Sequence, residues 1–326
     1  MKNSCTLGHL ASLFTVLIWG TTFISTKILL REFQPVEILF YRFIMGFLAL
    51  FLINPRPLKG ISPKQELLFA AAGLSGVTLY YLLENIALTF TMASNVGVIT
   101  SIAPFFTAVL AALFVKDEEK LHPRFFLGFL VAISGIFLIS TNGSQLKLNP
   151  AGDLLAVASA FMWGCYSNIT KKISGFGYNV IQTTRRIFFY GILFMIPALF
   201  LPEMGSSADL PADLSAGLPS ASAAGSSFFS GLARFADPVY LFNFIFLGLG
   251  ASALCFVTWN YAVQILGAVK TCVYIYMIPV ITIITSFLVL KEQLTVMTAL
   301  GTVLTLAGLF ISEHRAADAG CSAEHT

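Results

Sequence analysis

Polar and charged positions punctuate this chain so that charge-free runs remain at 10–26, 43–55, 67–83, 85–115, 125–146, 154–170, 187–202, 238–269, 271–290 and 293–312. Most reach or approach the roughly 20 residues that an α-helix needs to cross about 30 Å of hydrocarbon. They lack period-two alternation, so helices are the expected way to satisfy their backbone amides in lipid. Turn signals divide the longer stretches at Thr91–Asn95 and at Gln264–Lys270, the latter around Gly267. The predicted spans are 8–30, 34–54, 67–91, 94–115, 123–141, 152–171, 183–201, 239–264, 269–290 and 295–312.

The pattern also repeats. Trp19-Gly20, Lys27 and Arg42 recur 144 residues later as Trp163-Gly164, Lys171 and Arg186. Asn85, Ala87, Ala93 and Pro104 recur at an offset of 175 as Asn260, Ala262, Ala268 and Pro279. The offsets differ by 31 residues, so the second copy carries an insertion of that size, and a later slip to 173 aligns Gly128 and Gly135 with Gly301 and Gly308. An internal duplication in a hydrophobic chain points to two repeats with a central site between them. Five spans per repeat is an odd number, so the halves must enter the membrane in opposite senses. The expected fold is all-α and integral to the membrane, with ten transmembrane helices arranged as two inverted-topology five-helix repeats, 8–141 and 152–313, followed by a cytoplasmic tail at 314–326.

Composition agrees with this reading and narrows the function classes. Hydrophobic residues make up 57% of the chain and charged ones only 11%, against about a quarter charged in soluble domains. With the N-terminus inside, the inner segments hold Lys2, Arg56, Lys59, Lys64, Lys116, Lys120, Arg124, Lys171, Lys172, Lys270 and Arg315. The outer segments and span ends hold Lys27, Arg31, Lys147, Arg234 and Lys291. This bias predicts a multi-pass protein of the cell membrane with both termini cytoplasmic. The first span has no small-residue cleavage site after it and is read as a retained helix.

No basic patch for nucleic acid is present. The cysteines lack paired spacing, and His9, His122, His314 and His325 lie at termini or loops, so neither a metal nor a cofactor is implied. The insertion, about 203–237, runs through Ser, Ala, Gly and Pro and is expected to be disordered. Phe228, Phe229, Leu232 and Phe235 follow as an amphipathic turn suited to the outer membrane surface.

Ten spans in two repeats, a Trp-Gly pair opening each, a basic residue eight positions on, and Arg42/Arg186 in the next helix resemble the EamA-type family of the drug/metabolite transporter superfamily. Asn85-x-Ala-Leu before Pro104 and Asn260-x-Ala-Val before Pro279 carry the same resemblance. It covers about residues 8–313 and implies a substrate cavity at the repeat interface. Members export amino acids, other metabolites or drugs. The chain is thus expected to be a secondary transporter, an exporter of small polar or amphipathic metabolites working by alternating access, and not an enzyme. The rival reading is a non-transporting membrane scaffold or lipid-processing protein.

Polar residues inside spans mark the candidate pathway, since a charge there costs from about 2.5 kcal/mol upward. Glu84 is the only acidic residue deep in a predicted span, and Arg42 lies at a similar depth. The two are a candidate intramembrane charge pair. Glu84 is either a neutralised partner of Arg42 or a carboxylate that titrates or meets substrate, which makes proton coupling one option. The second repeat has Trp259 at the position of Glu84. Tyr81, Glu84 and Asn85 share a helix face, and with Trp19, Trp163, Trp259, Asn260 and Tyr274 they form the candidate substrate pathway. The Asn amides are equally suited to joining helices. Tyr80 and Tyr166 are read as packing residues. Pro104 and Pro279 each remove a backbone hydrogen bond mid-helix and are candidate hinges. Lys116 and Lys291 end those helices, and Glu119 and Glu292 open the next, as helix dipoles favour.

Overall fold

A computed structural model of the chain describes residues 2–114, 123–140, 150–199, 234–292 and 295–313. Helical segments fall on the hydrophobic runs, with ends shifted by a few residues. They are α1 (Lys2–Leu29), α2 (Pro35–Ile53), α3 (Pro63–Phe90), α4 (Ala93–Phe114), α5 (Pro123–Ser140), α6 (Pro150–Ser174), α7 (Val180–Leu199), α8 (Pro238–Leu266), α9 (Ala268–Leu290) and α10 (Val296–Glu313). Proline opens α2, α3 and α8, where its missing N–H costs nothing. Gln34 and Glu37 close a capping box at α2, Ser62 and Gln65 another at α3, and Asp237 caps α8. Gly267 separates α8 from α9 at φ +86°, a conformation that side chains with a Cβ rarely adopt.

Among the described residues, α1 (over Cys5–Leu29), α2, α3, α4, α8 and α9 are long and apolar enough to cross a membrane. That is six, short of the ten expected. The apolar stretches of α5 and α10 are shorter, at Phe126–Gly135 and Val296–Gly308. Asp153, Lys171 and Lys172 occupy the ends of α6, and Arg185 and Arg186 lie within α7. The outer surface carries large apolar side chains such as Leu52, Ile53, Leu67, Leu113, Phe114 and Val303. A face of this kind suits lipid tails and not water. The chain is a membrane protein with multiple apolar helices.

The strongest contacts join the first five helices to the last five. α1 packs on α8 and α9, α3 and α4 on α6, α2 on α8, α7 on α3, and α5 on α10. The packing is made by matched small residues. In the α5–α10 contact, a Cβ on Gly135 would lie 2.5 Å from the Gly301 carbonyl, and one on Gly308 2.4 Å from that of Gly128. Absent side chains let these two backbones touch, the small-residue packing of membrane helices. Gly20 gives the Trp-Gly pair its physical meaning. Its carbonyl accepts from Thr282 Oγ1 at 2.8 Å, and a Cβ there would strike Ile281. Gly164 receives Phe106 and Thr107 in the matching way.

Two irregularities recur at matched positions. A π-helical turn interrupts α3 at Gly73–Leu79, and another interrupts α8 at Phe246–Leu254. Such turns often sit at functional sites. In α4 the helix breaks at Ser101–Ile102, before Ala103 and Pro104, and in α9 a 3-10 turn at Tyr274–Met277 precedes Pro279. The insertion lies mostly outside the described residues, as do Glu119, Phe228, Phe229 and Leu232. Phe235 turns inward and not onto a membrane surface: its ring packs on Phe33, Tyr41 and Phe244 with centroids 5.3, 5.1 and 4.9 Å away. Arg234 beside it bridges Glu37 at 2.9 Å and lies on the Phe33 ring. A buried aromatic pocket and an ion pair outweigh the exposed placement expected from amphipathicity.

Candidate functional site

All three tryptophans of the chain meet at the centre of the bundle. Trp19 from α1 contacts Trp163 from α6 edge-on at 5.2 Å and Trp259 from α8 at 5.0 Å, while Trp163 and Trp259 lie 5.8 Å apart. Phe256, Tyr80 and Tyr166 extend the cluster. The Trp19 indole donates to the Ala251 carbonyl, inside the π-helical turn of α8, at 2.9 Å. The indole nitrogens of Trp163 and Trp259 are buried and bond no protein group.

Beside this cluster lies a cavity of about 20 Å³, large enough for roughly one water-sized group. Its wall is made by Trp19, Thr22 and Phe23 of α1, Tyr80, Tyr81 and Glu84 of α3, Thr100 and Ala103 of α4, Trp163 of α6, and Ile275 and Ile278 of α9. Both broken turns therefore border it. The helix α8 lends nothing to the wall, because Trp259 fills with an indole the place where α3 has a carboxylate. Glu84 is 2% exposed and hydrogen-bonds the Tyr80 side chain, which shares its helix face at i, i+4.

The expected ion pair is not closed. Arg42 and Glu84 make no nitrogen–oxygen contact at 4.0 Å or less. Arg42 is fully buried, donates from Nε to Ser252 Oγ at 2.7 Å, and lays its guanidinium on the Tyr81 ring, 4.2 Å from the centroid. Its Nη1 and Nη2 find no acceptor. Equal depth in two helices did not make the side chains meet: the π-turn of α8 supplies the hydroxyl, and the ring supplies a face that attracts cations.

Of the predicted pathway residues, Trp19, Tyr81, Glu84 and Trp163 line the cavity, and Trp259 buttresses it. Asn85, Asn260 and Tyr274 stand outside the wall. Asn260 accepts from Tyr166 Oη at 2.9 Å and donates to Thr184 Oγ1 at 3.0 Å, so its amide joins three helices. Asn85 donates to the Pro35 carbonyl at 3.2 Å. Tyr274 bonds the His9 imidazole at 2.8 Å near the start of α1. Pro104 and Pro279 follow the cavity-lining turns directly. Sequence reasoning passed over Tyr80, although its i, i+4 relation to Glu84 was a usable signal. It also passed over Thr22 and Phe23, which follow Trp19 at i+3 and i+4.

A charged cluster closes one end of α3 and α4. Lys27 Nζ donates to the Leu88 carbonyl and, at 2.8 Å, to that of Thr91, satisfying the C-terminus of α3. Glu292 accepts from the Ala93 and Ser94 amides at 3.0 and 3.3 Å and from Ser94 Oγ at 2.8 Å. It thus complements the dipole of α4 from across the bundle instead of opening α10. Arg186, the repeat partner of Arg42, sits away from the centre. It pairs with Glu66 at 2.6 Å with 41% of its side chain exposed. Among the described residues no three His, Cys, Asp or Glu side chains are grouped to hold a metal ion.

Sequence comparisons place this membrane protein in a family. The model of the EamA-like transporter family matches residues 6–141 and 150–313. The chain belongs to this family. An uncharacterized transporter of Archaeoglobus fulgidus is 28% identical, over 93% of this chain and 96% of its own. A probable terminal-alkyne amino-acid exporter of Streptantibioticus cattleyicolor is 25% identical, over 94% and 93%. A probable amino-acid metabolite efflux pump of Escherichia coli is also 25% identical, over 92% and 93%. One solved crystal structure superposes with a TM-score of 0.61 at 17% identity, covering 95% of this EamA-like chain and 97% of its own. That likeness concerns the fold. The family and the relatives' names point to transporters and not to enzymes.

Proposed function

We propose that this EamA-like chain is a secondary transporter of the cell membrane that exports small metabolites, amino acids or similar polar and amphipathic solutes, by alternating access. In this reading residues 8–141 and 152–313 are two five-helix repeats of inverted topology, and both termini are cytoplasmic. The observation that carries it is the wall of the central cavity, built from both Trp-Gly helices and from the broken turns of both α4 and α9. Discontinuous helices meeting at a midplane site are the usual means by which repeat transporters expose one site to either side. The names of the Streptantibioticus and Escherichia relatives support an amino-acid or metabolite cargo. A space of about 20 Å³ is too small for an amino acid, so cargo enters a wider state that forms when the broken helices move. Glu84 is the candidate for proton coupling, and Pro104 and Pro279 are the candidate hinges.

Purified protein in liposomes, loaded with a panel of amino acids and related metabolites, tests the function. Saturable counterflow of a subset is expected; leakage that ignores solute identity, or no flux at all, overturns the reading. Cysteines introduced at Lys59 and Ser220 test the topology, and labelling of both from the same side of the membrane overturns it.

A further inference from the structure

The cavity wall is chemically one-sided. Among its residues Glu84 alone carries a formal charge, and Trp19, Phe23, Tyr80, Tyr81 and Trp163 surround it with aromatic rings. The wall's threonine hydroxyls are already committed: Thr22 Oγ1 donates to the Trp19 carbonyl at 2.7 Å and Thr100 Oγ1 to that of Val96 at 2.8 Å. No lysine or arginine belongs to the wall. Lys27, on the same helix as Trp19, is committed to the Leu88 and Thr91 carbonyls. Arg42 stands outside the wall, with Nε on Ser252 and its guanidinium on the far side of the Tyr81 ring.

We propose that this site selects solutes bearing an ammonium group, primary or quaternary, on an apolar or aromatic body, over solutes whose only charge is a carboxylate. The inference rests on taking the cavity as the transport site. Aromatic faces attract cations through their quadrupole, most strongly when water is excluded, and do so without requiring an N–H. When ionised, the Glu84 carboxylate adds an opposite charge at the same wall. A carboxylate solute would meet that charge with no cation on the wall itself, the Arg42 guanidinium lying behind the Tyr81 ring, and such like-charge juxtaposition is a strong means of rejection. The Trp163 indole N–H, buried and bonding no protein group, is left to meet an acceptor atom on the same solute.

Tryptophan fluorescence reads this site without a label, because the chain's three tryptophans all lie in the cluster. The full chain in nanodiscs is titrated with phenethylamine, its trimethylammonium analogue, 2-phenylethanol and 3-phenylpropionate. Both cations are expected to bind at least about tenfold tighter than the alcohol and the propionate, the factor that one desolvated cation–π contact or ion pair supplies. Glu84→Gln is expected to remove most of that ratio and leave the alcohol unchanged, while Glu84→Asp keeps a measurable part of it. Equal binding of alcohol or propionate by the wild type, no saturable quench with either cation, or a ratio that survives in folded Glu84→Gln overturns the proposal. If Glu84→Gln does not fold, the wild-type ratio and Glu84→Asp decide. Flux is measured separately: charge-selective binding without counterflow removes the transport reading and leaves this one, and counterflow without charge selectivity does the reverse.

Discussion

The two halves of the molecule share their scaffold and differ in their chemistry. Gly20 accepts Ile281 and Thr282 as Gly164 accepts Phe106 and Thr107. The π-turns of α3 and α8 align, and so do the broken turns before Pro104 and Pro279. Apart from Trp19 and Trp163, which both line the cavity, the functional side chains follow no such rule. Tyr80, Tyr81 and Glu84 of α3 stand where α8 has Cys255, Phe256 and Trp259. Arg42 is buried at the centre, while Arg186 pairs with Glu66 at the rim. The two halves therefore keep alike what the backbones need in order to approach one another, and differ in the side chains that make the cavity one-sided on the α3 side. Substitutions at scaffold positions should act alike in both halves, and those at the chemical positions should not.

The largest effect is expected where backbones touch. Gly135→Leu and Gly308→Leu each place a branched side chain where a Cβ would already meet backbone atoms within 2.5 Å. Overpacking of this kind costs about 1–3 kcal/mol or more, and both variants should lose most folded protein in size-exclusion and thermal-unfolding assays. A large loss for one and none for the other would end the claim of equivalence.

The arginines test the chemical difference. Nη1 and Nη2 of Arg42 are buried without acceptors, a desolvation cost of about 1–3 kcal/mol for each unmet group. The Tyr81 contact offsets about 2 kcal/mol of it. Arg42→Met removes those costs together with the Ser252 bond and the attraction to Glu84, so thermal stability should change by less than about 2 kcal/mol, while transport falls with the loss of the central charge. Arg186→Met removes a partly exposed ion pair of about 0–1 kcal/mol and should change both only slightly. A fall of more than about 2 kcal/mol in Arg42→Met would make that side chain a structural one.

These contrasts also show what could be seen in the sequence. The helices follow from hydrophobic runs and turn signals, which act locally, and Glu84 stood out because a charge in lipid is expensive. The Trp-Gly pair was visible as a repeated motif, but its reason was not: the glycine serves a helix more than 240 residues away in sequence, through Thr282. Arg42 was assigned to the acid at matching depth, whereas its partner is Ser252, brought close by a π-turn that no local pattern announces. Asn85 and Asn260 repeat faithfully and bond neighbouring helices, so repetition marked shared architecture. Trp19 and Trp163 repeat and line the cavity from both halves, whereas Glu84 and Tyr80 do not repeat and give the wall its one-sided chemistry.

A smaller effect is expected at the Lys27–Glu292 cluster. Glu292 satisfies amides at the start of α4, so Glu292→Gln should cost about 1 kcal/mol, the worth of a charged helix cap. Lys27→Met should cost a similar amount by freeing the last carbonyls of α3. Both ends belong to one turn between α3 and α4, so the double variant should lose less than the two single losses together. Additive losses in thermal unfolding would show two independent caps.

The smallest effect on stability, and the sharpest test of symmetry, belongs to the prolines. Pro104 cannot donate to the carbonyl of Thr100, nor Pro279 to that of Ile275, and both acceptor residues line the cavity. Pro104→Ala and Pro279→Ala each restore one donor beside an irregular turn that already exists. The folded state gains a hydrogen bond of about 0.5–1.5 kcal/mol, while the unfolded chain gains freedom worth about 0.4–1 kcal/mol. The two nearly cancel, so melting temperatures should scarcely move. Transport should respond differently if the turns bend during the cycle: a continuous ladder through either turn resists bending, and counterflow should slow several-fold in each variant, by similar factors, with little change in apparent substrate affinity. Unchanged flux in both would make the breaks passive features of packing. Slowing in only one would place the moving helix in a single half and extend the asymmetry of the cavity wall to the motion itself.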